Sequence, residues 1–194
     1  MALGGTIRGK ITTLRLPIEA DLATFNDWMA DMRVRHAHQP WYEPAMPATW
    51  TERFAEAAKD HDQILWSIGA EGRLVGLALA TRGRLGESCT LNQLVIDPEQ
   101  WRKGYGFDAA LALHRFFFDY LDQKRIDVEL HADNLAAQRI AERLGYTEYA
   151  RGHAVFFKDG AYVDQLRLVM ERATWDERWS AEREYSPLAA DTTR

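Results

Sequence analysis

The chain is poor in cysteine and has no long apolar run. Cys89 is the only cysteine among 194 residues, so no disulfide can form within the chain. Because it lies where a strand begins, we interpret it as a small packing residue and not as a nucleophile. No apolar stretch approaches the roughly 20 residues that a membrane helix needs, and residues 1–10 lack the apolar core of a secretory signal. We therefore expect a cytoplasmic protein with no membrane partner.

An excess of positive charge is also missing. The chain has 24 Lys and Arg residues against 29 Asp and Glu residues, a formal net charge of −5 and a pI near 5.7. A nucleic-acid surface needs clustered basic residues in excess, so we expect no nucleic-acid partner. The apolar fraction of 46% and the charged fraction of 27% are typical of a soluble globular protein that can build a sizeable core.

Hydrophobic periodicity and turn signals predict the element order β-α-α-β-β-β-α-β-α-β-β. The predicted strands are 11–16, 63–70, 73–81, 90–96, 126–131, 146–157 and 162–170, and the predicted helices are 21–32, 49–59, 107–124 and 134–144. This order indicates an α/β (α+β) fold with a single mixed, mostly antiparallel sheet of about seven strands and helices on both faces. We expect one domain over residues 1–172, followed by a charged extension, 173–194, with a short helix and a flexible tail.

The most informative segment is a glycine-containing loop at residues 97–107. Gly104 and Gly106 follow two cations, Arg102 and Lys103, between a predicted strand and the helix that starts near Phe107. The first turn of a helix presents unpaired N–H groups at its positive end, so a diphosphate could bind there. The loop matches neither the Gly-x-Gly-x-x-Gly fingerprint nor a P-loop, and a plain structural turn is the other interpretation.

Three strings of the sequence carry a family resemblance. DPEQWRKGYG, HADNLAAQRIAERLGY and FFKDGAYVDQLRLVM, in this order, resemble the pyrophosphate loop, the following strand and helix, and the closing hairpin of the GNAT superfamily of acetyl-coenzyme-A-dependent N-acetyltransferases. The resemblance covers about residues 11–172. Trp101 and the Lys-Asp-Gly hairpin further resemble the branch that contains the ribosomal-protein alanine acetyltransferases, the Rim type.

The resemblance implies a set of residues that bind acetyl-coenzyme A. They are Leu94, Val95, Ile96, Arg102, Lys103, Gly104, Tyr105, Gly106, Phe107, Asn134 and Arg143. The main chain of 102–107 would hold the diphosphate, with help from the Arg102 and Lys103 side chains. The main chain of 94–96 would pair with the pantetheine arm and polarise the thioester carbonyl near Leu94 or Val95. Asn134 would bond the pantetheine amide and is, with His131, a candidate catalytic residue. Arg143 would reach the nucleotide phosphates.

Each of these roles has an alternative in the sequence itself. Arg102 and Lys103 could be a solvated surface pair. Asn134 could cap the helix that follows it, or could do both.

The chain departs from the family at two positions that usually supply a proton donor. The tyrosine that many GNAT enzymes place four residues before the helix-ending glycine is Ala141 here, and the serine of the Rim type is Ala137. General acid assistance is typically worth about 10²–10⁴ in rate. Water, Tyr146 or Tyr105 could replace the missing donor.

The general base depends on the amine. An α-amine with a pKa of about 7.7–8.0 is partly neutral at pH 7, whereas a lysine amine near 10.4 would need more assistance. His131 is the first candidate base and catalytic residue, although the residues alone favour a strand histidine satisfied by packing or water. Glu129 is a second candidate, and Asn92 and Gln93 could order a water molecule.

Residues 33–50 are the candidate wall on the acceptor side. They include His36, His38, Trp41, Tyr42, Glu43 and Trp50, a set of aromatic side chains with one carboxylate that could receive a cationic amine. A packed loop or a homodimer contact is the alternative. The spacing of His36 and His38 shows no third ligand, so we predict no metal.

The sequence therefore predicts an enzyme that moves an acetyl group from acetyl-coenzyme A to a primary amine, on a small molecule or a protein N-terminus, by direct attack on the thioester. A non-catalytic sensor or regulatory module that binds coenzyme A is the alternative function. An unrelated α/β domain whose glycine loop is only structural is the third.

Overall fold

A computed structural model of the chain describes residues 5–38, 47–60, 62–83 and 87–180. Its strands are β1 (Ile7–Arg8), β2 (Thr13–Arg15), β3 (Gln63–Ala70), β4 (Arg73–Arg82), β5 (Ser88–Ile96), β6 (Arg125–His131), β7 (Thr147–Lys158) and β8 (Ala161–Glu171). Its helices are α1 (Glu19–Ala30), α2 (Met32–His38), α3 (Pro47–Lys59), α4 (Tyr105–Arg115), α5 (Leu135–Leu144) and α6 (Arg172–Trp179). A 3₁₀ turn, Pro98–Gln100, precedes α4, and a π-helical turn, Phe116–Tyr120, follows it.

The strands form one sheet in the order β1-β2-β3-β4-β5-β6-β8-β7. Every neighbouring pair is antiparallel except β5 and β6, which are parallel. The predicted fold class is confirmed, but the described sheet has eight strands where we expected about seven. The missed strand β1 has two residues, too few for an alternating pattern to show in the sequence.

The sheet has an apolar core on each face. Trp66 and the other inward residues of its face pack with α4, whereas the adjacent Leu65 packs with Phe25 of α1 and Phe54 of α3. Successive side chains of a strand point to opposite faces, so the nearly continuous apolar run of β3 serves both cores. All four of these side chains are at most 6% exposed.

The turn between β1 and β2 is anchored to α4 by one carboxylate. Asp108 accepts hydrogen bonds from the main-chain N–H groups of Lys10, Ile11 and Thr12 at 2.8–3.0 Å and from the Thr12 hydroxyl at 2.7 Å. A Cβ atom at Gly9 would lie 2.2 Å from this carboxylate, so the turn needs glycine there. This contact fixes the edge of the sheet against the helix that follows the glycine loop.

The two N-terminal helices differ from the expected boundaries. The first predicted helix, 21–32, is found as α1, which begins earlier because the Asp21 carboxylate accepts the Ile18 N–H at 2.9 Å. Residues 32–38, mostly expected to be irregular, form α2. Trp41, Tyr42 and Glu43 lie outside the described residues, as does the side chain of Trp50.

The segment after residue 172 begins with helix α6, which contributes to the main core. Trp175 is fully buried, stacks on Phe118 at 5.3 Å between ring centroids, and donates from its indole to Asp119 at 3.0 Å. The predicted flexible tail lies outside the described residues, because they end at 180. Among the described helices, none has both the length and the apolar character that crossing a bilayer requires.

Candidate active site

The cleft of the protein opens where β5 and β6 separate. They pair only at their first residues, from Ser88 with Arg125 to Thr90 with Asp127. Beyond that point β5 keeps β4 on its other side as far as Ile96, so its edge over residues 91–96 has no strand partner within the described sheet. A cavity of about 630 Å³ lies along this edge, with walls from β5, β6, α2, α4 and α5.

The N-terminus of α4 is at one end of the cleft. Gly104 has a left-handed φ of +87° and immediately precedes the helix. Gly106 lies in the first turn, where an added Cβ atom would be 3.4 Å from the Ile140 side chain. The left-handed conformation favours glycine at position 104, whereas a Cβ atom at position 106 would make ordinary van der Waals contact with α5. The first-turn N–H groups have no partner within the helix and carry its positive end, so this terminus can receive an anion.

The loop before α4 is held by short polar contacts. The Asp97 side chain accepts the Glu99 N–H at 2.9 Å, and Lys103 donates to the Gln100 side chain at 2.8 Å. The Trp101 indole donates to the Ile96 carbonyl at 2.7 Å. Trp101 therefore ties the loop to the end of the unpaired β5 edge, a link that the sequence did not reveal.

Asn134 lies at the start of α5 and uses both ends of its amide. Its oxygen accepts the Ala137 N–H at 3.1 Å, and its nitrogen donates to the Ala37 carbonyl at 3.1 Å. The side chain thus caps α5 and links it to α2 across the cleft. Its predicted bond to the pantetheine stays a prediction.

The remaining cations predicted to contact the cofactor are at the surface around the loop. Arg102 and Lys103 are exposed, and Arg102 lines the cleft. The guanidinium carbon of Arg143 lies 3.6 Å from the Phe107 ring centroid, a cation–π contact that places the arginine beside the first turn of α4. Their contacts with phosphate stay predictions.

Ala137 and Ala141 both line the cleft, so neither usual position presents a proton donor. Tyr146 lies next to them because α5 ends in a Schellman motif, in which the N–H of Tyr146 bonds the Ala141 carbonyl at 3.0 Å. Gly145, at φ +111°, makes this turn possible. Of the two tyrosines considered from the sequence, Tyr146 lines the cleft and Tyr105 does not. Burial, followed by the neighbouring Glu71 carboxylate, raises the pKa of Tyr105.

The Tyr146 hydroxyl is paired with a buried histidine. His114 is 1% exposed, and its Nε2 lies 2.5 Å from the Tyr146 oxygen while its Nδ1 lies 2.6 Å from the Ala110 carbonyl. Because a carbonyl only accepts, Nδ1 carries the proton and Nε2 accepts from Tyr146. Burial lowers the pKa of His114 to about 4 and raises that of Tyr146 well above 10, so both are neutral at pH 7. Sequence reasoning did not single out His114, although a histidine among apolar helix residues was the available signal.

At the other end of β6, His131 is part of a polar cluster. Its Nδ1 lies 3.1 Å from the ammonium of Lys158, which also donates to both oxygens of Asp133 at 2.8 and 2.9 Å. Lys158 is 2% exposed and His131 is 7% exposed. Burial, followed by the positive charge of Lys158, lowers the pKa of His131 to about 4. Sequence reasoning treated Lys158 only as part of a hairpin turn.

Two histidines of α2 extend this cluster. His36 lies 3.4 Å from Asp133 by Nε2 and 3.5 Å from Asp159 by Nδ1. His38 lines the cleft, and its pKa is lowered to about 4 by desolvation, then by His131 and Lys158. Within the described residues, no group of three or more His, Cys, Asp or Glu side chains is arranged to hold a metal ion.

The other polar candidates also line the cleft. Glu129 accepts from the Gln165 amide at 2.9 Å and lies 3.3 Å from Arg167, so its carboxylate is already paired. Asn92 accepts from the Thr81 hydroxyl at 2.7 Å, and Gln93 follows it on β5. Cys89 is fully buried away from the cleft lining, and burial raises the pKa of its thiol to about 12.

Comparison with known proteins decides the family. The acetyltransferase (GNAT) domain model matches residues 12–147. This chain belongs to the GNAT acetyltransferase family. No curated protein matches it.

Solved GNAT structures share its fold. Spermidine N-acetyltransferase from Vibrio cholerae, solved with CoA and spermine, superposes with a TM-score of 0.76 at 19% identity, over 84% of this chain and 97% of that one. An acetyltransferase (GNAT family) from Bacillus anthracis gives a TM-score of 0.74 at 15% identity, over 87% and 99%. At these identities the likeness shows the shared fold.

Family membership confirms the predicted enzyme class, an acyltransferase, and acetyl-coenzyme A as its cosubstrate. The site of this GNAT chain fits that cosubstrate in two respects. The unpaired edge of β5 can receive an extended amide-bearing arm, and the helix terminus at Gly104 can receive a diphosphate. These are features of the backbone, so they are compatible with the alanines at positions 137 and 141.

Proposed function

We propose that this GNAT chain acetylates a primary amine, on a small molecule or a protein N-terminus, by direct attack of the amine on the thioester of acetyl-coenzyme A. The observation that carries the proposal is the meeting of the unpaired β5 edge and the α4 N-terminus along a single cavity. One feature can align an extended arm and the other can bind its phosphates. The walls beyond them leave room for an acceptor.

When bound, acetyl-coenzyme A supplies an activated acyl carbon and a thiolate leaving group. The first-turn N–H groups of α4 bind its diphosphate, and an N–H of β5 near Leu94 or Val95 donates to the carbonyl oxygen. Removing one such donor in a characterised hydrolase costs about 10²–10³ in rate, which shows the size of this effect. Because the donors belong to the main chain, they are fixed by the sheet and by α4.

The reaction also needs a proton on the departing sulfur. Tyr146 is the hydroxyl-bearing side chain of the cleft beside Ala141, and burial keeps its hydroxyl protonated at pH 7. To protonate the sulfur, this O–H must turn away from Nε2 of His114, to which it donates in the structure, and the phenolate that results regains a proton from water. A thiol with a pKa near 8.5 is already a fair leaving group, so the tyrosine accelerates the step without being indispensable.

The attacking amine must be neutral. With its pKa lowered to about 4, His131 is a weak base at pH 7. An α-amine with a pKa of about 7.7–8.0 loses its proton readily to water, so this class of acceptor needs no dedicated base. A base role for His131 or Glu129 remains the expectation from the sequence.

Several classes of amine are candidates for the acetyl acceptor. The Rim-type features, Trp101 and the Lys-Asp-Gly hairpin, support a protein N-terminus. Spermine occupies the related Vibrio cholerae enzyme, so polyamines belong in the same screen. A homodimer and a cytoplasmic location stay predictions from the sequence.

Calorimetric titration with acetyl-coenzyme A, beside dephospho-coenzyme A, tests the donor half of the proposal. We expect micromolar binding that weakens without the 3′-phosphate, and no binding to either compound would refute it. An amine panel of glycinamide, ethylamine, spermidine and an N-terminal alanine peptide tests the transfer. Binding without turnover on any amine, and no gain from Ala141→Tyr, would support the coenzyme-A sensor instead.

A further inference from the structure

The hydrogen bonds of the Lys158 ammonium determine which nitrogen of His131 carries its proton. A lysine ammonium has three N–H donors and no acceptor. Two of its contacts go to the Asp133 carboxylate and the third to Nδ1 of His131, at 3.1 Å. Nδ1 must therefore act as an acceptor, and the ring proton is on Nε2.

Packing then directs the ring. Its centroid lies 4.0 Å from that of Phe156, and Lys158 contacts its Nδ1 side. His131 lines the cleft, whereas Lys158 and Phe156 do not. Within the described residues, Nε2 has no protein hydrogen-bond partner, and its N–H is the polar group that the ring can offer to a ligand.

The surrounding charges favour the same neutral state. Lys158 and a second histidine, His36, lower the pKa of His131 and so disfavour a proton on Nδ1. Asp133 raises this pKa, but its carboxylate already accepts a hydrogen bond from Lys158. His38 also interacts with the His131 ring, and Asp159 lies 3.5 Å from Nδ1 of His36. The ammonium at 3.1 Å also blocks Nδ1 physically, so the ring is poorly placed to accept a proton there.

We infer that Lys158 and Asp133 hold His131 as a neutral imidazole in the Nε2–H form, so that it donates a hydrogen bond to an oxygen atom of the acceptor. This inference rests on the proposed function, and it specifies its substrate: an amine with a carbonyl or carboxylate oxygen close to the reacting nitrogen. Lys158 is a positioning residue in this arrangement.

The chemistry of the attack determines which atom receives the bond. A hydrogen bond donated to the amine nitrogen would occupy the lone pair that must attack the acyl carbon. The thioester oxygen is assigned to the main chain of β5, on the opposite wall of the cleft. A donor on β6 is therefore productive when it contacts a separate oxygen of the acceptor and so orients the amine.

Nitrogen-15 NMR of the histidine rings tests the positioning without any turnover. We expect His131 in the wild-type protein at pH 7 to show a protonated Nε2 and an unprotonated Nδ1. Lys158→Met should shift the ring toward the Nδ1–H form and raise its pKa, because the neighbouring positive charge is lost. Lys158→Arg, which restores a cationic donor, should recover the wild-type pattern.

Lys59→Met is the matched control, because Lys59 is exposed and does not line the cleft. It removes one ammonium elsewhere and should leave the His131 resonances unchanged. A wild-type ring protonated on Nδ1, or one that is unaffected by Lys158→Met, would overturn the inference. The wild-type spectrum alone decides the first point, so the test does not depend on the variant folding.

Two acceptors test the substrate class. Glycinamide has a carbonyl beside its amine and ethylamine has none. We expect His131→Phe to lower kcat/KM for glycinamide about tenfold more than for ethylamine, the size of one lost hydrogen bond. His131→Gln, which retains an N–H donor, should recover part of the loss.

Equal losses for the two amines would place His131 on the acetyl-donor side and overturn the substrate assignment. Titration of glycinamide into the complex with coenzyme A, followed at the His131 Nε2 resonance, gives a readout if neither amine is acetylated. A response to glycinamide that ethylamine does not produce supports the inference, and no response overturns it. Failure of acetyl transfer itself would refute the proposed function separately.

Discussion

The hydroxyl of Tyr146 donates to Nε2 of His114 at 2.5 Å, and both residues line the cleft between β5 and β6. The pair joins the end of α5 to α4 and stands beside Ala141, where the usual donor of this family is absent. Its place is set by the Schellman turn at Gly145, which brings the tyrosine back over the last turn of α5.

Tyr146→Phe should lower kcat by about 100-fold, the low end of general acid catalysis, because the proton for the departing sulfur must then come from water. The affinity for acetyl-coenzyme A should change little. Steady-state kinetics and calorimetry measure the two effects. Tyr162→Phe is the control, since this tyrosine is 70% exposed and outside the cleft lining. An unchanged kcat in Tyr146→Phe would remove the residue from the mechanism.

Gly104→Val should weaken the binding of acetyl-coenzyme A, because a β-branched side chain is strained at φ +87° and would distort the anion-binding turn. Gly72→Val is a matched control: Gly72 has φ +73° in the turn between β3 and β4, with open space around it. Both variants carry backbone strain, whereas only the first changes the cleft. Calorimetry should therefore show reduced affinity for Gly104→Val alone. Equal affinities in two folded variants would contradict the phosphate-loop assignment.

Asp108→Ala should lower the free energy of unfolding by about 3 kcal/mol. It removes the shared acceptor of three main-chain N–H groups and the Thr12 hydroxyl. The two Thr12 donors are buried, and a buried donor left unpaired costs about 1–3 kcal/mol. Asp108→Asn, which keeps one acceptor oxygen, should lose less. Urea denaturation compares the variants. A loss below about 1 kcal/mol for the alanine variant would show that the turn is held by other contacts.

The stability of the protein should fall as the pH is lowered from about 6.5 toward 4. The pKa of His114 is lowered from 6.5 to about 4 by burial, so the unfolded chain binds a proton in this range before the folded protein does. The stabilisation is complete above pH 6.5 and is lost as the pH approaches 4, with a slope of about 1 kcal/mol per pH unit for one group.

His114→Phe should make this slope shallower, because one buried titratable group is removed. His153→Phe provides the comparison, since that histidine has a side chain 81% exposed. Urea denaturation at several pH values gives the slopes. A slope for His114→Phe equal to those of the wild type and His153→Phe would show that His114 is not buried in its neutral form.

Local signals in the sequence determined most of the elements and the cofactor loop. Some features depend only on neighbours within a few residues, so they can be recognised without the fold. They are the apolar run of β3, the turns at Gly72 and Gly160, and the glycines at 104 and 106. The capping role of Asn134 is of the same kind, because its partner Ala137 is three residues away. The sequence did not predict strand β1, because two residues are too few to show an alternating pattern.

Only the tertiary structure determined where the cleft opens and which side chains contact each other there. The separation of β5 from β6 depends on strand pairing, the Tyr146 partner His114 lies 32 residues away along the chain, and the Lys158 partner His131 lies 27 residues away. No local pattern encodes such contacts, because they form when distant elements pack together. The sequence by itself therefore determined the family and the place of the phosphate loop. The folded protein determined which side chains meet in the cleft and which nitrogen of His131 carries the proton, since these depend on distances and burial.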